Sequence, residues 1–215
     1  MTDPPASDIV ALRVPRIDVA TDPVHADDPP RDPLALAASW LPGDGEERAL
    51  MTLSTVDEDG FPRARTVMLT EFDGERFFFH TDAASRKVRD LSLNPRVALT
   101  VLWPGFTHQL VVQGTAAVAE EDEIARAYAG RSDYLRQLAW LNTAEYARQP
   151  RARRERQWAA FAAANPHPAQ PDGWIGYAVR PRRLLFWTSH PTAASRRLEY
   201  VREEGGGWIC RHLPG

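Results

Sequence analysis

The amino-acid sequence predicts a mainly β protein, in which antiparallel strands close or nearly close into a barrel and helices lie at the periphery. The first indication is a change of hydrophobic period, because from Ala49 onward apolar residues alternate with polar ones, as in half-buried strands. The second is the placement of the turn sequences DEDG and DGE, which is typical of an antiparallel meander. The third is that helices come late and do not alternate regularly with strands, which argues against a parallel nucleotide-binding sheet.

The first structural element follows a stretch rich in proline and aspartate. Residues 1–30 carry too little apolar material to offset the cost of ordering, so we predict a disordered or extended tail there and a single domain over residues 31–215. The character changes at Asp32, which can cap a helix whose first position is Pro33. Apolar residues at helical spacing complete this predicted helix: Leu34, Leu36, Trp40 and Leu41.

Strands are predicted next over 49–56, 62–72 and 76–81. A short helix follows over 82–94, with Asp82 as its cap and a proline at position 95 to end it. The rest of the chain is predicted as strands over 96–103 and 109–119, helices over 120–130 and 145–165, and strands over 173–181, 183–188, 195–202 and 208–213. Pro150 disturbs the second of these helices, because proline cannot donate the helical hydrogen bond.

The composition excludes several classes of function. The 215 residues carry 26 basic and 29 acidic side chains, and a net charge of −3 does not supply the strong positive field that non-specific nucleic-acid binding requires. The single cysteine, Cys210, permits no intramolecular disulfide and fits a reducing compartment. No apolar run approaches the ~20 residues of a membrane span, and the first residues lack the pattern of a signal peptide. We therefore expect a cytoplasmic protein with no nucleic-acid or membrane partner.

Several catalytic and binding motifs are missing from the sequence. It contains neither GxGxxG nor GxxxxGK[ST], which speaks against Rossmann and P-loop sites, and it has no GxSxG nucleophile elbow. The six histidines are scattered without HExxH or paired spacing, so no metal site is predicted.

A candidate anion site lies in the first turn of the predicted short helix. Ser85, Arg86 and Lys87 stand where the helix dipole is already positive, and Lys87 is the only lysine in the chain. Adjacent cations are unfavourable there unless a phosphate or similar anion binds. A solvated helix face explains the same pattern equally well. Arg63 and Arg65 alternate on one face of a strand, which by itself is more typical of a surface than of a site.

Six blocks in the sequence resemble, in order and spacing, the pyridoxamine 5′-phosphate oxidase family. The blocks are RTVMLT (65–70), FHTDAASRK (79–87), NPRVAL (94–99), HQLVVQG (108–114), FW (186–187) and SRRLEY (195–200). The resemblance runs from residue 32 to the C-terminal RHLP and implies an FMN-binding split β-barrel. It also implies a homodimer that holds FMN in clefts between its two subunits.

The resemblance implies a set of cofactor-binding residues. Those lining the flavin, its ribityl chain and its phosphate would be Arg65, Thr66, Val67, Met68, Leu69, His80, Thr81, Ser85, Arg86 and Lys87, with His80 replacing the commoner tyrosine. Those reaching the flavin from the partner subunit would be Gln109, Trp187 and Arg197. A Gln-Ser pair of the family is lost near Ala144 and Glu145.

The substrate side departs from the family pattern. Thr70 stands where the oxidase has a lysine, and Ala193, Ala194 and Ser195 replace its Arg-Leu-His. Arg131 is retained, Leu135 stands at a serine position, and the family's tyrosine is either shifted to Tyr128 or lost at Ala127. Charge-assisted contacts contribute ~1.5–3 kcal/mol each, so losing several would weaken binding of a phosphorylated substrate by orders of magnitude.

These departures predict a less positive and more apolar pocket over the flavin. We expect an FMN-dependent oxidase, with oxygen as acceptor, that acts on a small ring-containing metabolite other than pyridoxamine phosphate. Its closest relatives by role would be the phenazine-biosynthesis-type members in specialised metabolism. Two alternatives stay open, namely a pyridoxine/pyridoxamine 5′-phosphate oxidase that tolerates the substitutions and a non-catalytic flavin-binding protein. No catalytic acid or base is assigned.

Overall fold

Across residues 18–42 and 49–215, which the computed structural model describes, nine β-strands form one antiparallel sheet curled into a half-barrel. The strands are β1 (Leu50–Val56), β2 (Pro62–Met68), β3 (Glu71–Phe72), β4 (Phe77–Asp82), β5 (Arg96–Leu102), β6 (His108–Val118), β7 (Trp174–Thr188), β8 (Arg196–Arg202) and β9 (Trp208–Pro214). The helices are α1 (Pro33–Trp40), α2 (Arg86–Leu93), α3 (Glu121–Ala129), α4 (Asp133–Leu141), α5 (Ala144–Ala147) and α6 (Arg151–Ala164). This architecture confirms the predicted fold class.

The sheet runs in the order β2-β1-β5-β6-β7-β4-β3, with β8 and then β9 added beside β7. The long strand β7 pairs with β4 along its first half and with β8 along its second half. The backbone N–H of Thr70 donates to the carbonyl of Phe78 at 2.9 Å, which brings the end of β2 against β4. As a result β2, β4 and the helix after β4 meet at one end of the half-barrel.

The structure corrects three predicted boundaries. The strand predicted over 62–72 is two strands, because at Leu69 and Thr70 the backbone changes partner from Ala49 to Phe78. The segments predicted over 173–181 and 183–188 form the single strand β7. Its pairing with β6 shifts register between Gln113 and Gly114, so β7 continues without a break. Helix α4 was not predicted, although Ser132 caps it by accepting a hydrogen bond from Leu135 N.

The apolar core has two parts separated by the sheet. The larger part lies inside the half-barrel and includes Phe77 and Phe79 of β4. The smaller part lies on the other face of β4 and β7, where Phe78 packs with Ile124 and Trp174. Strand β4 is therefore buried on both faces, and side chains that follow one another along it face different surroundings.

The N-terminal segment differs from the predicted tail. Residues 1–17 lie outside the described residues, but residues 18–30 pack onto the domain, and Val24 has 0% of its surface exposed. The guanidinium of Arg196 donates to the carbonyl oxygens of Val24, His25 and Ala26. One buried valine contributes ~1.5–3 kcal/mol, which helps to order a segment whose average composition is typical of disorder. Among the described residues, no helix is long and apolar enough to span a membrane.

Candidate functional site

A cavity of about 430 Å³ lies between the end of β4, the first turn of α2 and the loop that joins α4 to α5. Its lining includes four of the residues predicted to hold a phosphate, namely Thr81, Ser85, Arg86 and Lys87. The remaining lining residues are Asp82, Ala84, Arg131, Leu138, Ala139, Asn142, Thr143, Ala144 and Trp174. A volume of this size is typical of small-molecule sites.

Lys87 is held in place by hydroxyl groups at the floor of this cavity. Its ammonium donates to Oγ1 of Thr81 at 2.8 Å, and the hydroxyl of Ser85 lies 3.3 Å from the same oxygen. Ser85 is the N-cap residue of α2, but its side chain makes no capping hydrogen bond. The hydroxyl groups and the first turn of the helix therefore face the same space as the ammonium.

Arg65 reaches the same region from β2. Its guanidinium donates to Oγ1 of Thr55 at 2.8 Å, to the carbonyl of Leu53 at 3.2 Å and to Oδ2 of Asp90 at 3.2 Å. Asp90 is buried on α2 and also pairs with Arg63 at 3.5 Å. The two guanidiniums thus share one face of β2, as predicted. Asp90 holds Arg65, and Arg63 pairs more closely with Asp57, at 3.0 Å.

The electrostatics of this group favour a bound anion. Burial lowers the pKa of Lys87, the nearby charge of Arg65 lowers it further, and only the carboxylate of Asp82 opposes these effects. Arg65 is itself paired with Asp90, so burial is the main cost of keeping Lys87 charged. A phosphate group would offset that cost and accept hydrogen bonds from the ammonium and from the first turn of α2. The residues present fit the phosphate of a nucleotide-like cofactor. We call Arg65, Thr81, Ser85, Arg86 and Lys87 the cation cradle.

The other residues predicted around the flavin on β2 lie in different settings. Thr66 is exposed, whereas Val67 and Met68 are half-buried. Leu69 is 6% exposed and belongs to the core, so its side chain is a packing element and only its backbone is placed to meet a ligand.

Gln109, Trp187 and Arg197 form a separate row on β6, β7 and β8. Gln109 is the cross-strand partner of Trp187, and Trp187 is the cross-strand partner of Arg197. The indole N–H of Trp187 donates to the hydroxyl of Ser195 at 2.9 Å, which orients the ring. Within one chain this row lines a different surface from the cavity of Lys87.

The predicted substrate residues are largely engaged with the protein itself. The guanidinium of Arg131 donates to the carbonyl of Leu135 at 3.1 and 3.3 Å and lies over the ring of Trp174, 4.4 Å from its centroid. Tyr128 is 5% exposed, and its hydroxyl donates to the carbonyls of Pro168 and Ala169. The expectation that Tyr128 contacts substrate disagrees with this placement, because its ring packs beneath Trp174 in the smaller core.

The segment at Ala193 and Ser195 forms a turn. The backbone N–H of Ala193 donates to Nδ1 of His190 at 2.8 Å, and Ala193 is exposed. Ser195 accepts the hydrogen bond from Trp187, so its hydroxyl holds a residue of the predicted flavin site. This turn offers small side chains at positions where the resemblance implies Arg and His.

Thr70 contacts a histidine and, through it, a glutamate. Its Oγ1 lies 2.9 Å from Nδ1 of His80, and Nε2 of His80 lies 3.4 Å from Oε2 of Glu123. The imidazole is fully buried and stacks on Trp174 with a centroid distance of 5.4 Å and an interplanar angle of 9°. Burial and, next, the charge of Glu71 raise the pKa of Glu123 to about 7.

Comparison with known proteins identifies the family. Residues 45–168 match the family described as pyridoxamine 5′-phosphate oxidase, and residues 174–214 match the pyridoxine 5′-phosphate oxidase C-terminal dimerisation region. The chain belongs to the pyridoxamine 5′-phosphate oxidase family. A pyridoxine/pyridoxamine 5′-phosphate oxidase of Caulobacter vibrioides is 31% identical over 188 residues, which are 85% of this chain and 84% of that protein.

Two solved structures show the same fold. The PhzG protein of Burkholderia lata, solved in complex with tetrahydrophenazine-1-carboxylic acid, superposes with a TM-score of 0.74 at 24% identity, covering 88% of this chain and 95% of that one. A pyridoxamine 5′-phosphate oxidase-related, FMN-binding protein of Nostoc punctiforme superposes with a TM-score of 0.63 at 17% identity, covering 78% and 87%. At these identities the likeness concerns the fold alone.

Sequence reasoning missed three members of the site of this family protein. Asn142 and Thr143 line the cavity across from the cation cradle, next to the position where the resemblance implied a lost Gln-Ser pair. A sequence signal for Thr143 was present, because threonine is a favoured helix cap. In the structure Thr143 caps α5 by accepting a hydrogen bond from Tyr146 N. Glu123 was also missed, since it lies among the acidic residues that begin α3 and nothing in that run singles out the one that is buried.

Proposed function

We propose that this protein is an FMN-dependent oxidase of its family that acts as a homodimer on a small ring-containing metabolite other than pyridoxamine phosphate. The observation that carries the proposal is the cation cradle, of which Thr81, Ser85, Arg86 and Lys87 line one cavity, where burial and then the charge of Arg65 lower the pKa of Lys87. A phosphate dianion would accept hydrogen bonds from these groups and offset the cost of the buried charge. The cavity beside it leaves room for the rest of a nucleotide-like cofactor.

FMN, when bound, supplies the electron acceptor for the substrate and passes the electrons on to oxygen. The protein's own residues bind and orient it. The cradle would hold the phosphate, and Thr66, Val67, Met68 and the backbone of Leu69 would run along the ribityl chain and ring. The imidazole of His80 is fully buried against Trp174, so His80 would support β4 and not line the flavin as expected.

The homodimer would complete the site. Gln109, Trp187 and Arg197 lie together on β6 to β8, apart from the cradle of the same chain. A partner's copy of this row would therefore close over the flavin held by the first subunit. The match of residues 174–214 to a dimerisation region supports this arrangement, because it includes β7 and β8.

The altered substrate is inferred from the residues that stand where the family has charged groups, together with Arg131. Arg131 lines the cavity, but its guanidinium already donates to a backbone carbonyl. Thr70 and Ser195 provide neutral hydroxyls that are bonded to His80 and Trp187. A neutral or carboxylate-bearing ring suits these groups better than a second phosphate would. We place this reaction in the cytoplasm and in specialised metabolism.

A second candidate is pyridoxine/pyridoxamine 5′-phosphate oxidase itself. Two observations favour it. The similar protein of Caulobacter vibrioides bears that name, and Arg131 lines the same cavity as Lys87. Under this alternative, Arg131 would exchange its carbonyl partner for the substrate phosphate.

Two measurements test the proposal. The purified protein should carry a yellow flavin chromophore, and the apoprotein should bind FMN much more tightly than riboflavin, which lacks the phosphate. The protein is then mixed anaerobically, in separate experiments, with pyridoxamine 5′-phosphate, pyridoxine 5′-phosphate and tetrahydrophenazine-1-carboxylic acid. The unphosphorylated ring compound should bleach the flavin, whereas the two phosphates should bleach it only slowly. A colourless protein that ignores FMN would refute the cofactor, and rapid oxidation of pyridoxamine 5′-phosphate would favour the second candidate.

A further inference from the structure

A second cavity, of about 400 Å³, is lined by residues of β1, β2, β5, β6 and β7. Three of the lining residues are arginines, namely Arg96 of β5 and both Arg182 and Arg183 of β7. The other lining residues are neutral. Among the residues that the structure describes, the lining therefore carries three positive charges and no negative one, in a chain whose net charge is −3.

The two neighbouring arginines of β7 line the same cavity because the strand is irregular at this point. Gln113 of β6 is the cross-strand partner of Arg183. The next residue of β6, Gly114, is the partner of Pro181, so Arg182 is left out of the pairing. Successive residues of a regular strand point to opposite faces of the sheet, whereas a bulge with one extra residue redirects its side chain. The bulge therefore brings Arg182 and Arg183 to one cavity.

Two residues of the sequence allow this bulge to form. Gly114 lies against the backbone of β7, where an added Cβ would overlap the carbonyl oxygen of Arg180, so the close approach of the strands requires glycine. Pro181 has no N–H to donate, which is tolerated at a bulge but not within a regular ladder. The position of Arg182 is thus set by the backbone of two paired strands.

The three arginines differ in how far the protein neutralises them. Nε of Arg183 lies 3.5 Å from Oε1 of the buried Glu199, but that carboxylate also pairs with Arg211. Arg96 and Arg182 are exposed, and the side chain of neither forms a hydrogen bond or an ion pair with any residue that the structure describes. Each of these two guanidiniums offers five N–H donors beside the cavity.

The lining indicates which class of ligand the cavity fits. Guanidiniums bind phosphate and carboxylate groups through pairs of parallel hydrogen bonds, and several of them together suit the near-double charge of a phosphate ester. Ser54, Gln113 and Thr115 add neutral hydrogen-bond donors, whereas Val56 and Ala98 provide apolar surface. The cavity is also larger than a phosphate group requires, which leaves room for an organic part.

We propose that this cavity binds the phosphate ester of a small organic molecule, with Arg96, Arg182 and Arg183 on the phosphate and the apolar wall against the organic part. We call the cavity and these three arginines the bulge site. No described residue lines both the bulge site and the cavity beside Lys87, so the bulge site is a second binding site and not part of the first. The inference therefore does not depend on the proposed cofactor.

The bulge site lies on the same face of the sheet as the row proposed to close over the partner's flavin. Gln113 and Gln109 stand four residues apart on β6, so their side chains point to one face, ~13 Å apart along the strand. A partner subunit seated on Gln109 and Trp187 therefore approaches the bulge site. For this reason the oligomeric state is part of the test.

The first arm of the test measures binding by isothermal titration calorimetry. The probes are inorganic phosphate, phenyl phosphate, which adds an apolar ring, and benzoate, which replaces the phosphate by a carboxylate. Phenyl phosphate should bind at least tenfold more tightly than either of the others. Arg182→Gln and Arg96→Gln should each weaken its binding tenfold or more. The matched control is Arg180→Gln, an exposed arginine of the same strand outside the lining, and it should leave binding unchanged.

The second arm separates the bulge site from the cation cradle, which is also expected to bind phosphate. The titrations are repeated in the Arg86→Ala, Lys87→Ala variant, where the site that depends on Arg182 should keep its affinity for phenyl phosphate. This result is expected whether or not the protein binds FMN, so failure of the cofactor assignment and failure of the bulge site are distinguishable.

Three results would overturn the bulge site. Equal affinity for phenyl phosphate in Arg182→Gln and in the unmodified protein would mean that these arginines are simply solvated, and so would the absence of binding at millimolar concentration. Benzoate that binds more tightly than phenyl phosphate would contradict the phosphate assignment. Light scattering should give the same oligomeric state for Arg182→Gln as for the unmodified protein, and a change would assign the arginine to a contact between subunits instead.

Discussion

Four residues of the cation cradle border the same cavity as Arg131, but the two sides hold their positive charges differently; the four are Thr81, Ser85, Arg86 and Lys87. In the cradle, the ammonium of Lys87 donates to the neutral hydroxyl of Thr81, and Arg65 nearby is paired with Asp90. Across the cavity, Arg131 donates to a backbone carbonyl and stacks on Trp174. Burial lowers the pKa of Lys87, a cost that a bound anion would offset, whereas the guanidinium of Arg131 is bonded within the protein. The difference favours anion binding at Lys87 over anion binding at Arg131.

The largest expected effect would break the cradle itself. The double variant Arg86→Ala, Lys87→Ala removes two charge-assisted contacts to the phosphate. At ~1.5–3 kcal/mol each, their loss should weaken FMN binding by roughly 10²- to 10⁴-fold. Fluorescence titration of the apoprotein with FMN measures this loss.

Arg89→Ala is the matched control for the double variant, because this arginine lies on the same helix but is exposed and pairs with Glu58. It should bind FMN as the unmodified protein does. Riboflavin should bind the unmodified protein and the double variant equally weakly. If the double variant kept the affinity for FMN, the solvated helix face would be the correct interpretation of these charges.

A second prediction concerns what positions the cradle. Asp90 is 2% exposed and accepts bonds from Arg65 and Thr55, so Asp90→Asn leaves Arg65 without its carboxylate, while Arg63 keeps its pair with Asp57. We expect a loss of about 2–3 kcal/mol in unfolding free energy, somewhat less than the ~3–5 kcal/mol of a fully buried pair, because the guanidiniums keep some contact with water. Urea denaturation measures the loss, and the exposed Asp59→Asn serves as control. Equal stability of the two variants would show that Asp90 does not organise this face.

That Ser85, Arg86 and Lys87 begin one helix could be predicted from the sequence, whereas the contacts of Thr70, His80 and Glu123 could not, for a physical reason. Ser85, Arg86 and Lys87 are adjacent, so the helix dipole argument needs only local structure. His80 and Glu123 meet only because the sheet and α3 fold over β7, and no periodicity records that long-range contact. The prediction for residues 18–30 failed for a different reason. The average composition of this proline-rich stretch is typical of disorder and does not reveal the one valine that is buried and anchors it.

A third prediction concerns how the contribution of Glu123 to stability depends on pH. The fold raises the pKa of Glu123 to about 7 from the usual 4.5, so it favours the protonated carboxyl. That contribution to stability is fully present below pH 4.5 and is lost as the pH rises through 7. Glu123→Gln has no such charge and should be more stable than the unmodified protein by on the order of 1–3 kcal/mol at pH 8, with the advantage disappearing near pH 4.5. Thermal unfolding across this range measures it, and an advantage that does not depend on pH would contradict the raised pKa.

The smallest expected effect would turn the substrate side back into a second anion site. The triple variant Thr70→Lys, Ala193→Arg, Ser195→His restores the charged or titratable groups that the family resemblance implies. In the proposed dimer these added charges should strengthen binding of pyridoxal 5′-phosphate by more than tenfold, which corresponds to only ~1.4 kcal/mol. Titration of the flavin absorbance with pyridoxal 5′-phosphate measures the change.

The single variants separate the contributions, because each position already has a partner. Thr70→Lys gives up the bond to His80 and adds the ammonium, so most of the gain should appear there. Ser195→His should add little unless its imidazole also accepts the indole hydrogen bond that Ser195 now accepts from Trp187. Tight binding of pyridoxal 5′-phosphate by the unmodified protein would mean that Arg131 leaves the carbonyl of Leu135 to take the phosphate. The contrast between the two sides of the cavity would then disappear, and the protein would be an ordinary oxidase of vitamin B6 phosphates.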